Sequence, residues 1–88
     1  MKLLWSDSAW DDYLYWHGTD AKTFQRLNDI IRECRRTPFK GIGKPEPLKG
    51  GLQGWWSRRI SQDDRLVYRV EGKGEDQRLE IAQCRFHY

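Results

Sequence analysis

The sequence predicts an α+β domain in which two helices cover one face of a β-sheet. An apolar stripe with a period near 3.6 runs from Phe24 to Cys34. From Trp55 onward the chain breaks into short β-type runs separated by polar turns, and a brief apolar run, residues 2–5, precedes the first helical signal. At 88 residues the expectation is one domain spanning residues 1–88. So small a domain buries only a modest share of its surface. Five tryptophans, four tyrosines and three phenylalanines supply bulk for its core or for a partner.

The elements follow in order. Lys2-Leu3-Leu4-Trp5 reads as an opening strand. Ser6, Asp7 and Ser8 offer N-caps, and Trp10, Tyr13, Leu14 and His17 recur at helical spacing, which predicts a helix over 8–16 ended by Gly18. Asp20 is an N-cap for a second helix. Phe24, Leu27, Ile30, Ile31 and Cys34 form its apolar stripe, and Pro38 ends it near Thr37. Arg35 and Arg36 suit the negative end of its dipole. Residues 38–54 hold five of the eight glycines and all three prolines and read as a long irregular loop. Such loops in compact domains are usually functional or disordered. Strands are expected over 55–60, 65–70 and 78–87. The short connections between them predict an antiparallel meander, leaving the face away from the helices free as a working surface.

Charge is distributed unevenly. The net +3 combines −2 over residues 1–31, +6 over 32–59 and −1 over 60–88. A basic middle third is the footprint of phosphate contact or of a solvated basic face. Cys34 and Cys84 form no CxxC pair and no Cys/His cluster, so neither a zinc site nor any other metal site is expected. With no secretory leader expected, the two cysteines read as buried thiols in a reducing cytoplasm. No apolar run approaches a membrane span.

Metal-free RNA cleavage needs a base for the 2′-hydroxyl, an acid for the leaving 5′-oxygen and positive charge for the transition state. The chain has two histidines. His17 reads as a surface or packing residue near a helix end. His87 stands in an aromatic terminal cluster, Phe86-His87-Tyr88, where chain ends are usually frayed and polar. That composition points to a docked terminus. Strict alternation puts Leu79, Ile81, Gln83, Arg85 and His87 on one face, and Glu80, Ala82, Cys84, Phe86 and Tyr88 on the other. Glu46, between Pro45 and Pro47, is a carboxylate on a stiffened segment; alone it reads as a loop acid paired with a lysine. Arg65, opening a strand, suits a phosphate clamp or an ion pair with Asp63 or Asp64. Arg58 and Arg59 project to opposite faces, as do Trp55 and Trp56. One of the tryptophans is core and the other is free to stack on a base.

Several strings resemble the YoeB toxins of the RelE/ParE superfamily: Met1-Lys2-Leu3-Leu4-Trp5-Ser6, Trp10-Asp11-Asp12-Tyr13-Leu14-Tyr15-Trp16, Arg35-Arg36-Thr37-Pro38-Phe39, Gly43-Lys44-Pro45-Glu46-Pro47-Leu48-Lys49, Trp56-Ser57-Arg58-Arg59-Ile60, Arg65-Leu66-Val67-Tyr68 and Cys84-Arg85-Phe86-His87-Tyr88. The resemblance runs essentially end to end. It implies a microbial RNase (RelE-like) fold and a type II toxin: an endoribonuclease cutting mRNA in the A site of the 70S ribosome without a cofactor. It also implies a YefM-type antitoxin and a homodimer. Glu46 would be the general base, His87 the general acid, Arg65 the phosphate clamp, and Tyr88 an orienting residue. Lys44, Lys49, Arg58 and Arg59 are the candidate RNA-binding residues. The alternatives are a gyrase-poisoning ParE-like toxin and an RNA-binding domain without activity.

Overall fold

A computed structural model describes all 88 residues. In chain order the elements are β1 (Lys2–Trp5), α1 (Asp7–Thr19), α2 (Ala21–Arg36), β2 (Glu46–Pro47), β3 (Trp56–Arg59), β4 (Arg65–Glu71) and β5 (Arg78–Gln83). Single turns of 3₁₀ helix occupy Gly50–Leu52 and Gly74–Asp76. The strands form one sheet in the order β1-β5-β4-β3-β2. The α+β class and the meander β3-β4-β5 are as expected. The sheet is nevertheless mixed: β1 runs parallel to β5, with Leu3 beside Leu79 and Trp5 beside Ile81. Two helices intervene between β1 and the meander, and such a long crossover allows parallel docking.

Capping explains where the helices begin. The Ser6 side chain accepts from the Ala9 amide, and Asp20 accepts from Thr23. Both satisfy N–H groups that the first helical turn leaves free. Gly18 lies inside α1, which ends instead where Asp20 turns extended and its own N–H bonds the Trp16 carbonyl. Asp20 thus closes one helix and opens the next.

Leu27, Ile30, Ile31 and Cys34 of α2 are buried with Ala9 and Trp16 of α1 against Leu66, Tyr68, Leu79, Ile81 and Cys84. Burial pushes the Cys34 thiol up to about 11, and the Cys84 thiol is raised for the same reason. A bulge on β5 changes the phase of its alternation. Tyr68 pairs with Ile81 but Val67 pairs with Gln83, leaving Ala82 as the extra residue. Cys84 therefore joins Leu79 and Ile81 on the helix side, where strict alternation would have put it on the other face.

The expected loop over 38–54 is mostly irregular, but Glu46 pairs with Ser57 and Pro47 with Trp56 as a fifth, two-residue strand. Gly43 permits this docking: its carbonyl accepts from the Arg59 amide at 2.6 Å. A Cβ on Gly43 would lie 3.0 Å from the Arg59 carbonyl, and its φ of +81° favours glycine.

Candidate RNA-processing face

Arg58 is a correction to the expected RNA-binding set. Its side chain is fully buried on the helix side of the sheet. The guanidinium's five N–H donors are all used. Nε donates to the Tyr68 hydroxyl (3.2 Å); Nη1 donates to Glu33 Oε1 (2.6 Å) and to the Ile42 carbonyl (3.1 Å); Nη2 donates to the carbonyls of Thr37 (2.6 Å) and Lys40 (2.9 Å). No donor remains for a phosphate. Alternation placed Arg58 and Arg59 on opposite faces, and the position of the helices decides that Arg58 is the inner one. The hydrogen bond from Arg58 holds the Glu33 carboxyl below its ordinary range. Together these bonds staple the chain from Thr37 to Ile42 onto β3, just ahead of Glu46.

The uncovered face carries the other candidates in rows set by the register. Arg59 pairs with Arg65. One step along, Glu46, Ser57, Val67 and Gln83 line up across four strands. Tyr88 reaches this second row: its hydroxyl lies 3.4 Å from Glu46 Oε1 and 3.3 Å from Ser57 Oγ. The His87 ring is 4.6 Å from the Tyr88 ring, and its Nδ1 is 3.0 Å from the Tyr88 carbonyl oxygen. Glu46, His87 and Tyr88 are thus brought together, and all three are exposed.

The C-terminal segment reaches this row because it is clamped and reversed. From α1, the Trp16 indole donates to the Cys84 carbonyl (2.7 Å), and Asp12 accepts from the Cys84 amide (3.1 Å). Partial burial raises the Asp12 carboxyl above its ordinary value despite that bond. Arg85 stacks on Tyr15 at 3.4 Å. Phe86 then takes a φ of +67°, an uncommon conformation for a non-glycine residue. Its amide donates to Asp64 Oδ1 (2.7 Å), and its carbonyl accepts from the Arg65 amide (2.9 Å). These bonds hold the turn that sends His87 and Tyr88 back over the sheet. β5 accordingly ends at Gln83, short of the expected residue 87, and Tyr88 reaches Glu46 in spite of simple alternation.

Arg65 is nearly buried, and neither Asp63 nor Asp64 pairs with it. Its Nη1 donates to the carbonyls of Ser61 (2.9 Å), Gln62 (3.1 Å) and Asp64 (3.1 Å). Nε and Nη2 have no partner within the chain. Arg59, Lys44 and Lys49 are exposed. His17 is also exposed, edge-on to Phe24. Ser57 and Asp64 were missed by the sequence reading. Ser57 spaces Tyr88 on β3, and Asp64 holds the reversed terminus. No signal other than register and turn geometry marks either one. No helix is long and apolar enough to cross a membrane.

The family model described as "YoeB-like toxin of bacterial type II toxin-antitoxin system" matches residues 5–88. A Toxin YoeB from Escherichia coli O6:H1 is 57% identical over 88 residues, covering 100% of both chains. Among solved structures, a YoeB/ParE toxin from Agrobacterium tumefaciens is 60% identical, covers 100% of both chains and superposes with a TM-score of 0.96. A YoeB dimer from Staphylococcus aureus is 38% identical with a TM-score of 0.88, and a heterotetrameric YoeB–YefM toxin–antitoxin complex from the same organism is 38% identical with a TM-score of 0.87. Both cover 100% of this chain and 98% of theirs. The chain belongs to the YoeB-like toxins of bacterial type II toxin–antitoxin systems.

Proposed function

We propose that this toxin is a ribosome-dependent endoribonuclease that cuts mRNA in the A site, acting in the cytoplasm as one domain without a cofactor. The observation behind the reading is the exposed grouping of Glu46, Tyr88 and His87 on the sheet face that the helices leave open. Glu46 takes the proton from a 2′-hydroxyl, whose oxygen attacks the neighbouring phosphorus. The bond to the 5′-oxygen breaks, and His87 protonates that leaving oxygen. The products are a 2′,3′-cyclic phosphate and a free 5′-hydroxyl. Arg65 supplies positive charge to the pentavalent transition state through its unpaired Nε and Nη2. Tyr88, bonded to Glu46 and Ser57, orients the base and the phosphate. Lys44, Lys49 and Arg59 hold RNA by phosphate charge, so binding weakens as salt rises.

A YefM-type antitoxin is the proposed inhibitor, and a homodimer the proposed assembly, by analogy with the S. aureus complexes. The test is cleavage of mRNA on programmed ribosomes. Wild type should create new 5′ ends within codons. Removing a general acid should cost at least ~100-fold in rate for His87→Ala. Cleavage by His87→Ala at the wild-type rate, or DNA damage without new mRNA ends, would overturn the assignment.

A further inference from the structure

The row of side chains next to Glu46 is not used by the reaction described above. Leu4, Glu80 and Arg69 are register neighbours on β1, β5 and β4. Arg69 lies over the Trp55 ring at 4.4 Å. An open cleft of about 410 Å³ lies here, lined by Leu4, Trp5, Ser6, Trp55, Glu80, Ile81 and Ala82. Leu4 is 51% exposed. Trp55, just ahead of β3, precedes Ser57 by two residues and meets Arg69 of the open face. The cleft therefore starts about 6.6 Å along the strand from the Glu46–Tyr88 row. Arg59 and Arg65 stand one step to the other side.

We propose that this cleft is a stacking subsite for a nucleobase of the RNA, next to the nucleotide that carries the attacking 2′-hydroxyl. The inference rests on the ribonuclease reading and names how the strand is held. A single strand laid across the open face would meet arginines, then the base–acid pair, then an indole within about two residues of strand each way. Aromatic rings are the usual platform for splayed single-stranded bases.

The carboxylate and the hydroxyl that line the cleft are already committed. Glu80 accepts from Arg69 and from Arg78, each at 2.7 Å, and these bonds hold its carboxyl low. The Ser6 hydroxyl donates to the Ala82 carbonyl at 2.8 Å. Apart from the indole N–H groups of Trp5 and Trp55, the cleft thus offers shape and a π-surface but no free side-chain hydrogen-bonding group. It should accept any base and contribute little to codon preference.

The test uses full-length toxin on programmed ribosomes, with Trp55→Phe and Trp55→Leu beside wild type. Phe keeps a π-face, and Leu keeps apolar contact without one. The mRNAs carry an abasic residue at each position flanking the cut in turn. Trp55→Phe should cleave within about threefold of wild type, and Trp55→Leu about 10- to 100-fold more slowly. One abasic position should slow wild type by a similar factor and leave Trp55→Leu no slower than on intact RNA. Equal slowing of wild type and Trp55→Leu at every abasic position would overturn the subsite. So would a Trp55→Leu variant that cleaves normally yet loses antitoxin affinity, which would mark the cleft as a protein-docking surface. Failure of wild type to cleave any mRNA would instead bring down the ribonuclease reading, and the subsite with it.

Discussion

Replacing Arg58 by methionine removes a guanidinium that satisfies five acceptors on three segments of the chain. The methionine stem fills most of the same space, so packing is largely kept. What is lost is the hydrogen bonding. The carbonyls of Thr37 and Ile42 lose their donor, Lys40 keeps only a bond from Thr37 Oγ1, and the Glu33 carboxylate keeps only the Ile42 amide. Tyr68 still donates to the Pro38 carbonyl at 2.6 Å. Truncating one partner of a buried, hydrogen-bonded charge typically costs about 3–5 kcal/mol. A domain of this length has roughly 4–13 kcal/mol of stability in all. With a urea slope of about 1–1.5 kcal/mol per M, the midpoint should fall by roughly 2–5 M. Equilibrium unfolding in urea, followed by tryptophan fluorescence at neutral pH, measures this directly. A loss below about 1 kcal/mol with an unchanged slope would refute the view of Arg58 as the staple of the 37–42 segment.

Two further outcomes follow from the same network and from the terminus. Glu33 is held below its ordinary value of 4.5 in the folded chain, so its contribution is complete above that value and is lost as pH falls through the lower folded one. Between about pH 5 and about pH 3 the urea midpoint of wild type should therefore decline more steeply than that of Glu33→Gln, and parallel declines would contradict the assignment. Asp64→Ala removes the acceptor of the Phe86 amide and should cost about 1.5–3 kcal/mol. Hydrogen exchange at Phe86 should accelerate more than at core amides such as Leu66, whereas unchanged exchange at Phe86 would show that the terminus is held by other contacts.

The parts of this fold that were legible in the sequence are those set by neighbours in the chain. The α2 stripe, the Asp20 cap and the tight turns of the meander each depend on a few consecutive residues, and each is present. Glu46 stood out because two prolines flank it, and His87 because a histidine among terminal aromatics is unusual. What stayed hidden depends on register between distant segments. Alternation showed that Arg58 and Arg59 diverge but not which one meets the helices. The Ala82 bulge changes the phase of β5, and no local composition announces it. Ser57 and Asp64 are ordinary small polar residues until pairing brings Glu46 and Phe86 beside them. The parallel placement of β1 has the same origin, because its partner lies at the opposite end of the chain.

That placement bears on when the toxin can first exist. Lys2 pairs with Arg78, and Ile81 accepts from the amide of Ser6. An edge strand made first must wait for the last strand before it has any partner. The contacts around Glu46 need Tyr88, which lies 42 residues further along the chain. Contacts between sequence-distant segments form late because loop closure must come before them. A chain whose β5 has yet to be made thus holds an unpaired β1 and lacks the contact of Tyr88 with Glu46. That leaves an interval in which a second protein can bind β1 first.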